Sequence, residues 1–268
     1  MDATATGAGQ TRVGSAPPRG QTVLWGLPAF RRGAMAVTIL IIALTRDAAG
    51  SGAPENAFPV SLGTFSTTLI GSLPARTHNI QIAARALDGT VLEPGDVLSF
   101  NRGVGPRTPE VGYLTAPVIL REARQLQLGG GICQVASTLF VASLLSGLSM
   151  VERHRHSSPV DYIPLAEDAT ISWGVKDLKV RNDLDQRVRL RVEVLGATLC
   201  ARFEGEAPTG ATFELETEER ELPEVTAGGS PGREIELYRV RRASGEETER
   251  DLVLRDVYPA GRPRGSSP

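Results

Sequence analysis

The amino-acid sequence predicts an α+β domain in which an antiparallel sheet packs on a buried central helix. The first observation is the stretch of residues 132–146, which has the apolar spacing of a helix and carries no charge. The second is the alternation of apolar and polar residues over 188–204, interrupted at Gly196, which is typical of a β-hairpin with one buried face. The third is the composition, since 29 glycines, 18 prolines and 5% aromatic residues indicate many turns.

The N-terminal residues 1–50 are predicted to be a disordered segment followed by a signal peptide or membrane anchor. Residues 1–20 are mainly small or polar and cannot form a core. The basic pair Arg31 and Arg32 precedes an apolar run at 34–44 and small residues at 48–50, as in a secretory signal. The run is shorter than the ~20 residues of a spanning helix. We therefore expect an extracytoplasmic protein, secreted or membrane-anchored, with a buried core helix as the alternative reading of the run.

The next part of the chain is expected to supply a strand, a helix and a hairpin before the central helix. Residues 64–70 alternate as a strand does, and residues 74–87 have helical apolar spacing. Further expected elements are a short strand at 97–100, a loop at 104–109 and a hairpin at 116–128.

The part after the central helix is expected to be mostly extended. Short strands are predicted at 151–156, 160–163, 169–173 and 178–181, followed by the hairpin over 188–204. Residues 208–232 are acidic and rich in glycine and proline, so we expect a linker there. A charged hairpin at 234–257 and a loose tail complete the chain. The predicted organisation is residues 1–50, a domain at 60–206, and a C-terminal segment at 207–268.

Composition and charge exclude several classes of protein. The net charge of −2 gives no reason to expect nucleic acid as a partner. Cys133 and Cys200 are the two cysteines, too few for a disulfide framework or a cysteine zinc site. A disulfide between them is disfavoured, because Cys133 lies in the core helix and Cys200 on the polar face of a strand. No dinucleotide or phosphate-binding fingerprint is present, and no cofactor is predicted.

Gly129, Gly130 and Gly131 lead directly to Cys133 at the start of the central helix. In a first helical turn, unpaired amides and the positive end of the helix dipole favour a thiolate. The hypothesis is a cysteine nucleophile in a cleft shaped by the glycines, with the amides of Cys133 and Gln134 as oxyanion donors. The alternative is an ordinary buried helix with an inert cysteine.

Two of the three histidines, His154 and His156, fall in one predicted strand, and Asp168 begins the next. Cysteine on a helix tip, histidine on a strand and aspartate on a neighbouring strand is the order of transglutaminase-like and papain-like folds. There the imidazole carries the proton and the carboxylate orients the ring. We expect His156 to serve Cys133, because the strand ends there, and His154 to support the cleft from a deeper layer.

Two alternatives remain open for the histidines. They can hold a metal ion, either with Asp168 or with Cys133. They can also pair with Glu152 or Asp161 on a solvated face and have no chemical role.

Several motifs in order give the chain a resemblance to the VanW family over about residues 65–206. The segments that carry it are RTHNIQIAARALDGTVLEPGDVLSFNRGVGPRT, GYLTAPVI, GGGICQVASTLF, GLSMVERHRHS, DYIP and EDATISWGVKDLKVRN. The residues that match the family signature are Gly129, Gly130, Gly131, Cys133, Gln134, Glu152, Arg153, His154, His156, Ser157, Asp168 and Thr170. Proteins of this family belong to the bacterial envelope, and the family is named from an accessory gene of glycopeptide-resistance clusters.

The resemblance implies a setting near peptidoglycan and leaves the reaction to be argued from the residues. If the domain is an enzyme, we expect acyl chemistry on a peptide or amide, as hydrolysis or transfer on peptidoglycan stems or their precursors. Membrane contact is expected only through the N-terminal segment. The opposing hypothesis is a non-catalytic binding or accessory module, in which the three glycines shape a ligand cleft and the histidines are structural.

Overall fold

The computed structural model describes the backbone of residues 31–32 and residues 57–120, 123–223 and 231–259. The predicted disordered segment at 1–20, the apolar run at 34–44 and the tail beyond residue 259 lie outside these residues. No helix in the described ranges is long and apolar enough to cross a membrane.

The fold is mixed, with mostly antiparallel sheets and few helices, as the α+β prediction requires. The helices are α1 (Pro74–Leu87), α2 (Phe100–Val104) and α3 (Ile132–Leu145). The strands are β1 (Arg31–Arg32), β2 (Val60–Thr68), β3 (Val91–Leu92), β4 (Val97–Ser99), β5 (Thr115–Leu120), β6 (Ala123–Leu128), β7 (Ser149–Glu152), β8 (Lys179–Arg181), β9 (Val188–Leu195), β10 (Thr198–Gly205), β11 (Thr212–Leu222), β12 (Gly232–Ala243) and β13 (Glu246–Tyr258).

These strands form four sheets rather than one. The strand orders are β1-β11-β12-β13, β2-β10-β9-β3, β4-β8-β7 and β5-β6. The transglutaminase- or papain-like arrangement is not established by this topology.

Helix α3 is the buried centre of the fold, as predicted. Every residue from Ile132 to Leu144 except Cys133 is buried, because apolar and small side chains occupy all sides of the helix. The helix packs against β2, β10 and α1. It ends at Leu145, close to Gly147, which has a φ of +82° that glycine adopts without strain.

The clearest local predictions are confirmed. Helix α1 has the predicted bounds, β5 and β6 form the predicted hairpin, and β9 and β10 pair around Gly196. Cys200 lies opposite Glu193 and is partly buried. Both cysteines are free.

The C-terminal segment differs from its prediction. The expected linker at 208–232 contains β11, which pairs along its whole length with β12. Alternation in the acidic stretch from Thr212 to Leu222 supports this strand, because every second residue faces the solvent and can be charged. The predicted hairpin of β12 and β13 is confirmed, and it is part of a larger sheet.

The connection between β7 and β8 also differs. Strand β7 ends at Glu152, and the predicted strands at 160–163 and 169–173 are wrong. The backbone there bonds to groups other than a strand ladder: the amide of Ala169 donates to Oγ of Ser137 at 2.9 Å, and the amide of Thr170 to the carbonyl of His154 at 2.7 Å. This long connection carries most of the candidate site.

Candidate active site

The turn before α3 fits closely against two neighbouring elements. A Cβ on Gly130 would lie 2.6 Å from the carbonyl oxygen of Ala116 in β5, and one on Gly131 would lie 2.8 Å from Cγ of Arg76 in α1. Gly129 and Gly131 have φ of +75° and +106°, a region that favours glycine. The three glycines thus let the turn pack on β5 and α1, and this seats the first turn of α3.

Asn79 of α1 binds this turn and the residue before β5 through hydrogen bonds. Its side chain is fully buried, and its Nδ2 donates to the carbonyls of Leu114 and Gly130 at 2.9 and 3.0 Å. Its Oδ1 accepts from the amide of Leu114 at 2.8 Å. Because all three bonds go to backbone groups, the start of α3 is fixed relative to α1.

Cys133 is the second residue of α3 and is partly buried. Its Sγ lies 3.6 Å from Oγ1 of Thr170 and 3.8 Å from the carbonyl oxygen of Ile171. Burial raises the pKa of the thiol, but hydrogen bonding and charge attraction from His156, with smaller effects of Ile171 and Thr170, outweigh burial and bring the pKa below its ordinary value. The environment therefore favours the thiolate.

His156 is bound to Asp168 through both its backbone and its ring. The amide of His156 donates to Oδ2 of Asp168 at 2.7 Å, and Nδ1 lies 2.5 Å from the same oxygen. Both side chains are almost completely buried. Since Nδ1 faces the carboxylate, Nε2 is the ring nitrogen left to interact with the Cys133 thiol.

The charges of this group are coupled. Burial lowers the pKa of His156, but hydrogen bonds and charge attraction from Asp168 and Cys133 outweigh it and raise the pKa to about 9. Burial raises the pKa of Asp168, and the bonds from His156 together with the charge of Arg153 bring it below the ordinary value. The arrangement favours a thiolate, an imidazolium and a carboxylate in sequence.

Arg153 fixes Asp168 from the side opposite His156. Its Nη2 donates to Oδ1 of Asp168 at 2.8 Å, and its Nε donates to the Asp168 carbonyl at 2.6 Å. Its Nη1 reaches Oδ2 of Asp256 in β13 at 2.6 Å. The guanidinium is buried and each of its nitrogens makes a hydrogen bond, so it orients the carboxylate.

Ser137 joins the loop that carries Asp168 to the helix that carries Cys133. Its hydroxyl donates to the carbonyl of Cys133 at 2.9 Å and accepts from the amide of Ala169 at 2.9 Å. Tyr162 lies nearby, with its ring edge-on to His156 and its hydroxyl 3.5 Å from Oγ of Ser137. Burial raises the pKa of Tyr162, so its hydroxyl stays protonated.

His154 lies outside this group. Its Nε2 bonds to Oε1 of Glu152 at 3.0 Å, and its side chain is 38% exposed against 10% for His156. The expectation that His154 is the deeper of the two is therefore wrong. The reason is that β7 has already ended at Glu152, so the two rings do not share the face that a continuous strand would give them.

Gln134 also lies away from the predicted cleft. Its side chain is buried and its Nε2 donates to Oγ1 of Thr67 and the carbonyl of Thr68, both at 2.9 Å, in β2. Its amide donates to the carbonyl of Gly131 at 3.0 Å, so it is not available to an oxyanion. A helix turns about 100° per residue, which directs Gln134 into the core when Cys133 faces the site.

The metal hypothesis finds no support in the geometry. Among the described residues, no group of three or more histidine, cysteine, aspartate or glutamate side chains is placed to hold a metal ion. His154 is turned towards Glu152, which removes it from both of the ligand sets considered.

Sequence reasoning assigned no role to Arg153, Ser137, Thr170 or Tyr162. Arg153 and Thr170 are among the residues that match the VanW family signature, which is the signal that could have marked them. Ser137 and Tyr162 lie within the segments that resemble the family but are not among those signature residues.

Comparison with known proteins agrees with these motifs. A family model described as VanW like protein matches residues 75–203. The chain is 41% identical over 138 residues to the protein YoaR of Bacillus subtilis (strain 168), which is described as uncharacterized. The aligned region covers 52% of this chain and 46% of that protein. It is 33% identical over 115 residues to the Vancomycin B-type resistance protein VanW of Enterococcus faecalis (strain ATCC 700802 / V583), over 41% of this chain and 42% of that protein.

The matched part thus spans less than half the length of each of these relatives. No solved structure matches the chain significantly. The matched range contains Cys133, His156 and Asp168, together with α3 and the connection between β7 and β8 that carry them. A VanW-like domain therefore occupies residues 75–203 of this chain.

Proposed function

We propose that the domain carries out thiol-dependent acyl chemistry at Cys133, as hydrolysis or transfer on a peptide or amide. The observation that carries the proposal is the bonded pair of His156 and Asp168 next to a cysteine in the first turn of a buried helix. A nucleophile, a base within reach and a group that orients the base are the parts that such chemistry needs.

In the proposed reaction, the Cys133 thiolate attacks the carbonyl carbon and a C–S bond forms. As the C–N bond breaks, His156 gives its Nε2 proton to the leaving amine, and a thioester remains. Neutral His156 then takes a proton from the water or acceptor amine that attacks the thioester, and the thiolate leaves. Asp168 keeps Nδ1 protonated and the ring in place throughout.

The oxyanion of the tetrahedral intermediate is proposed to lie near the start of α3. Amides in a first helical turn lack intrahelical partners, and the dipole of α3 favours negative charge there. We propose the amide of Cys133 as the donor to the oxyanion. The amide of Gln134 is not included, because it already bonds to the carbonyl of Gly131. The order of cysteine, histidine and aspartate along the chain is that of transglutaminase-like and papain-like folds, which supports the assignment of roles.

For the setting, we propose peptides of peptidoglycan or its precursors outside the cytoplasmic membrane. The relative from Enterococcus faecalis is named as a vancomycin resistance protein, which supports an envelope role. The basic pair Arg31 and Arg32 before the apolar run at 34–44 supports export or anchoring. Cell fractionation tests this location, and a full-length native chain free in the cytoplasm would contradict it.

The test of the chemistry is the alkylation rate of Cys133 as a function of pH. The protein carries Cys200→Ser so that Cys133 is the remaining thiol, and Cys133→Ala gives the background. We expect His156→Ala to move the profile to higher pH, because the thiolate loses its cationic partner. His154→Ala is the matched control, since its ring bonds to Glu152, and its profile should follow the parent.

Two outcomes would contradict the proposal. If the profiles of the parent and of His156→Ala coincide, His156 does not activate the thiol. If Cys133 stays inert across the pH range in the parent protein, the domain is a non-catalytic module.

A further inference from the structure

Arg107 has a buried guanidinium with no hydrogen-bond partner among the residues that the structure describes. Its Nε, Nη1 and Nη2 atoms are all buried and unbonded within the part of the chain that the structure describes. A guanidinium presents five N–H donors, and leaving a buried charged group unpaired is strongly destabilising. Arg153, by contrast, uses its nitrogens in bonds to Asp168 and Asp256.

Apolar contacts hold Arg107 in place. Its guanidinium carbon lies 5.9 Å from the ring centre of Phe100 and 5.5 Å from that of Trp173. Its stem packs against Gly129, where a Cβ would lie 3.0 Å from Cγ of Arg107. Aromatic rings engage the face of a guanidinium, which leaves the donors at its edge for another molecule.

A second buried polar group near Arg107 has no hydrogen-bond partner among the described residues. Tyr113 is 1% exposed and its hydroxyl is unbonded. Burial raises the pKa of this hydroxyl, so it stays protonated, and the electrostatic effect of Tyr113 on Arg107 indicates that the two side chains are close. Asp177 also acts on Arg107, but its oxygens are occupied by the amides of Asn101 and Leu178 and the hydroxyl of Ser99. No carboxylate of the described chain therefore bonds to Arg107.

The position of Arg107 is next to the thiol. Gly129, on which its stem packs, lies in the turn that leads to Cys133. Trp173 covers its guanidinium. Two residues before Trp173, the carbonyl oxygen of Ile171 lies 3.8 Å from Sγ of Cys133. Cys133 is also one of the groups whose charge acts on Arg107.

We propose that Arg107 and Tyr113 form a subsite for a substrate carboxylate beside Cys133. This deepens the proposed function and rests on it: the acyl substrate carries a free carboxylate close to the carbonyl that the thiolate attacks. The planar fork of a guanidinium matches the two oxygens of a carboxylate, and the Tyr113 hydroxyl adds a donor to the same anion. A bound carboxylate would satisfy donors that are otherwise buried without partners.

We expect a ligand to reach the subsite beside the turn that carries Trp173. Ser172 and Lys176 close this turn with backbone bonds of 2.8 and 2.9 Å, and Asn101 holds its base through a bond of 2.8 Å to the carbonyl of Lys176. The tip is open, since Trp173 and Val175 are 52% and 76% exposed. We therefore expect the indole to move when a ligand enters, which makes Trp173 fluorescence a reporter of binding.

The test compares two alkylating agents of the same shape, iodoacetate and iodoacetamide, on Cys133 in the Cys200→Ser protein. We expect iodoacetate to react in a saturable way and Arg107→Gln to lower the rate ratio of iodoacetate to iodoacetamide by about tenfold or more, the size expected when one charge-assisted bond is lost. Tyr113→Phe should lower the ratio less. Arg102→Gln removes an exposed arginine of the same region and is the matched control, with an unchanged ratio.

A second arm does not depend on the reactivity of the thiol. In the Cys133→Ala protein with Trp25→Phe, Trp173 fluorescence is titrated with N-acetylglycine and with N-acetylglycinamide. We expect a response to the acid that Arg107→Gln abolishes and little response to the amide.

The two arms separate the proposals. An inert thiol with selective binding of the acid would reject the chemistry at Cys133 and keep the carboxylate subsite. Equal responses to acid and amide, or a response to the acid that persists in Arg107→Gln, would overturn the subsite. A response to inorganic phosphate as strong as that to the acid would overturn its assignment to a carboxylate. The melting temperature of Arg107→Gln should not fall below that of the parent, because the variant removes a buried unpaired charge.

Discussion

The Nη1 atom of Arg153 lies 2.6 Å from Oδ2 of Asp256, and the two residues are 103 positions apart in the chain. This ion pair connects the loop that holds Asp168 to β13 of the C-terminal sheet. Tyr258, on the same strand, accepts a hydrogen bond from the amide of Ala166 at 3.0 Å. The C-terminal sheet thus supports the candidate site, although it lies beyond the range that matches the VanW-like family.

Replacing Asp256 with Ala should destabilise the protein by about 3–5 kcal/mol, because it leaves a buried charge on Arg153 with one of its partners gone. The matched control is Asp251→Ala, which removes a longer and more exposed pair with Arg239 at 3.8 Å and should cost about 1 kcal/mol or less. Urea unfolding of both variants measures the difference. Equal losses would mean that the sheet is not coupled to the site through Arg153.

The stability of the protein should depend on pH through His156. Its pKa is raised to about 9 in the folded protein, against about 6.5 for a free histidine. Protonation of His156 therefore stabilises the fold fully below about pH 6.5, and this contribution is lost as the pH rises through about 9. The difference in unfolding free energy between the parent and His156→Gln should shrink over that interval.

The contribution of Asp168 to stability depends on pH in the opposite direction. The pKa of Asp168 is lowered in the folded protein, so its contribution is present above about pH 4 and lost only in more acidic solution. If the difference in unfolding free energy between the parent and His156→Gln stays constant from pH 6 to 10, the interaction of His156 with Asp168 and Cys133 is contradicted.

Elements with a strong local pattern could be predicted from the sequence. The apolar residues of α1 and α3 fit the helical period, and those of the hairpin of β9 and β10 fit the strand period of two residues. Cys133 and His156 could be picked out because cysteine and histidine are rare in this chain, and Asp168 because its place after them matches the order of a known chemistry.

The parts that could not be predicted depend on contacts between distant residues. The loop from 153 to 178 takes its shape from Ser137 and from Arg153, whose partners lie up to 103 residues away. The role of Gln134 could not be predicted, because its amide already bonds to the carbonyl of Gly131. The burial of His154 could not be predicted, because it depends on where β7 ends. Such boundaries are the least certain part of a pattern. Arg107 could not be singled out by its sequence pattern, because its significance lies in having no hydrogen-bond partner among the described residues.

Substitutions of buried residues in α3 should destabilise the domain. Leu139 and Phe140 are 1% and 0% exposed, so Leu139→Ala and Phe140→Ala should each cost about 2–5 kcal/mol. Phe140 also lies under the guanidinium of Arg153, which adds a reason for its loss to disturb the site. Val175→Ala, at a side chain that is 76% exposed, is the control and should leave the melting temperature nearly unchanged. An unchanged melting temperature in both core variants would place the core elsewhere.

Gly130 should tolerate no side chain, for a reason of space rather than of backbone conformation. An added Cβ would lie 2.6 to 2.7 Å from backbone atoms of Ala116 and Pro117 in β5, which cannot move without shifting the hairpin. Gly130→Ala should therefore cost about 1–3 kcal/mol and displace the first turn of α3. It should then also slow alkylation of Cys133 at neutral pH.

Gly205→Ala is the matched control for that variant. An added Cβ there would lie 3.0 Å from the ends of the flexible side chains of Gln186 and Leu62, which can give way. We expect a smaller loss of stability and an unchanged alkylation rate, since Gly205 ends β10 and contributes nothing to the turn before Cys133. If Gly130→Ala matched Gly205→Ala in both measurements, the close fit of the glycine turn against β5 would not be what positions the thiol.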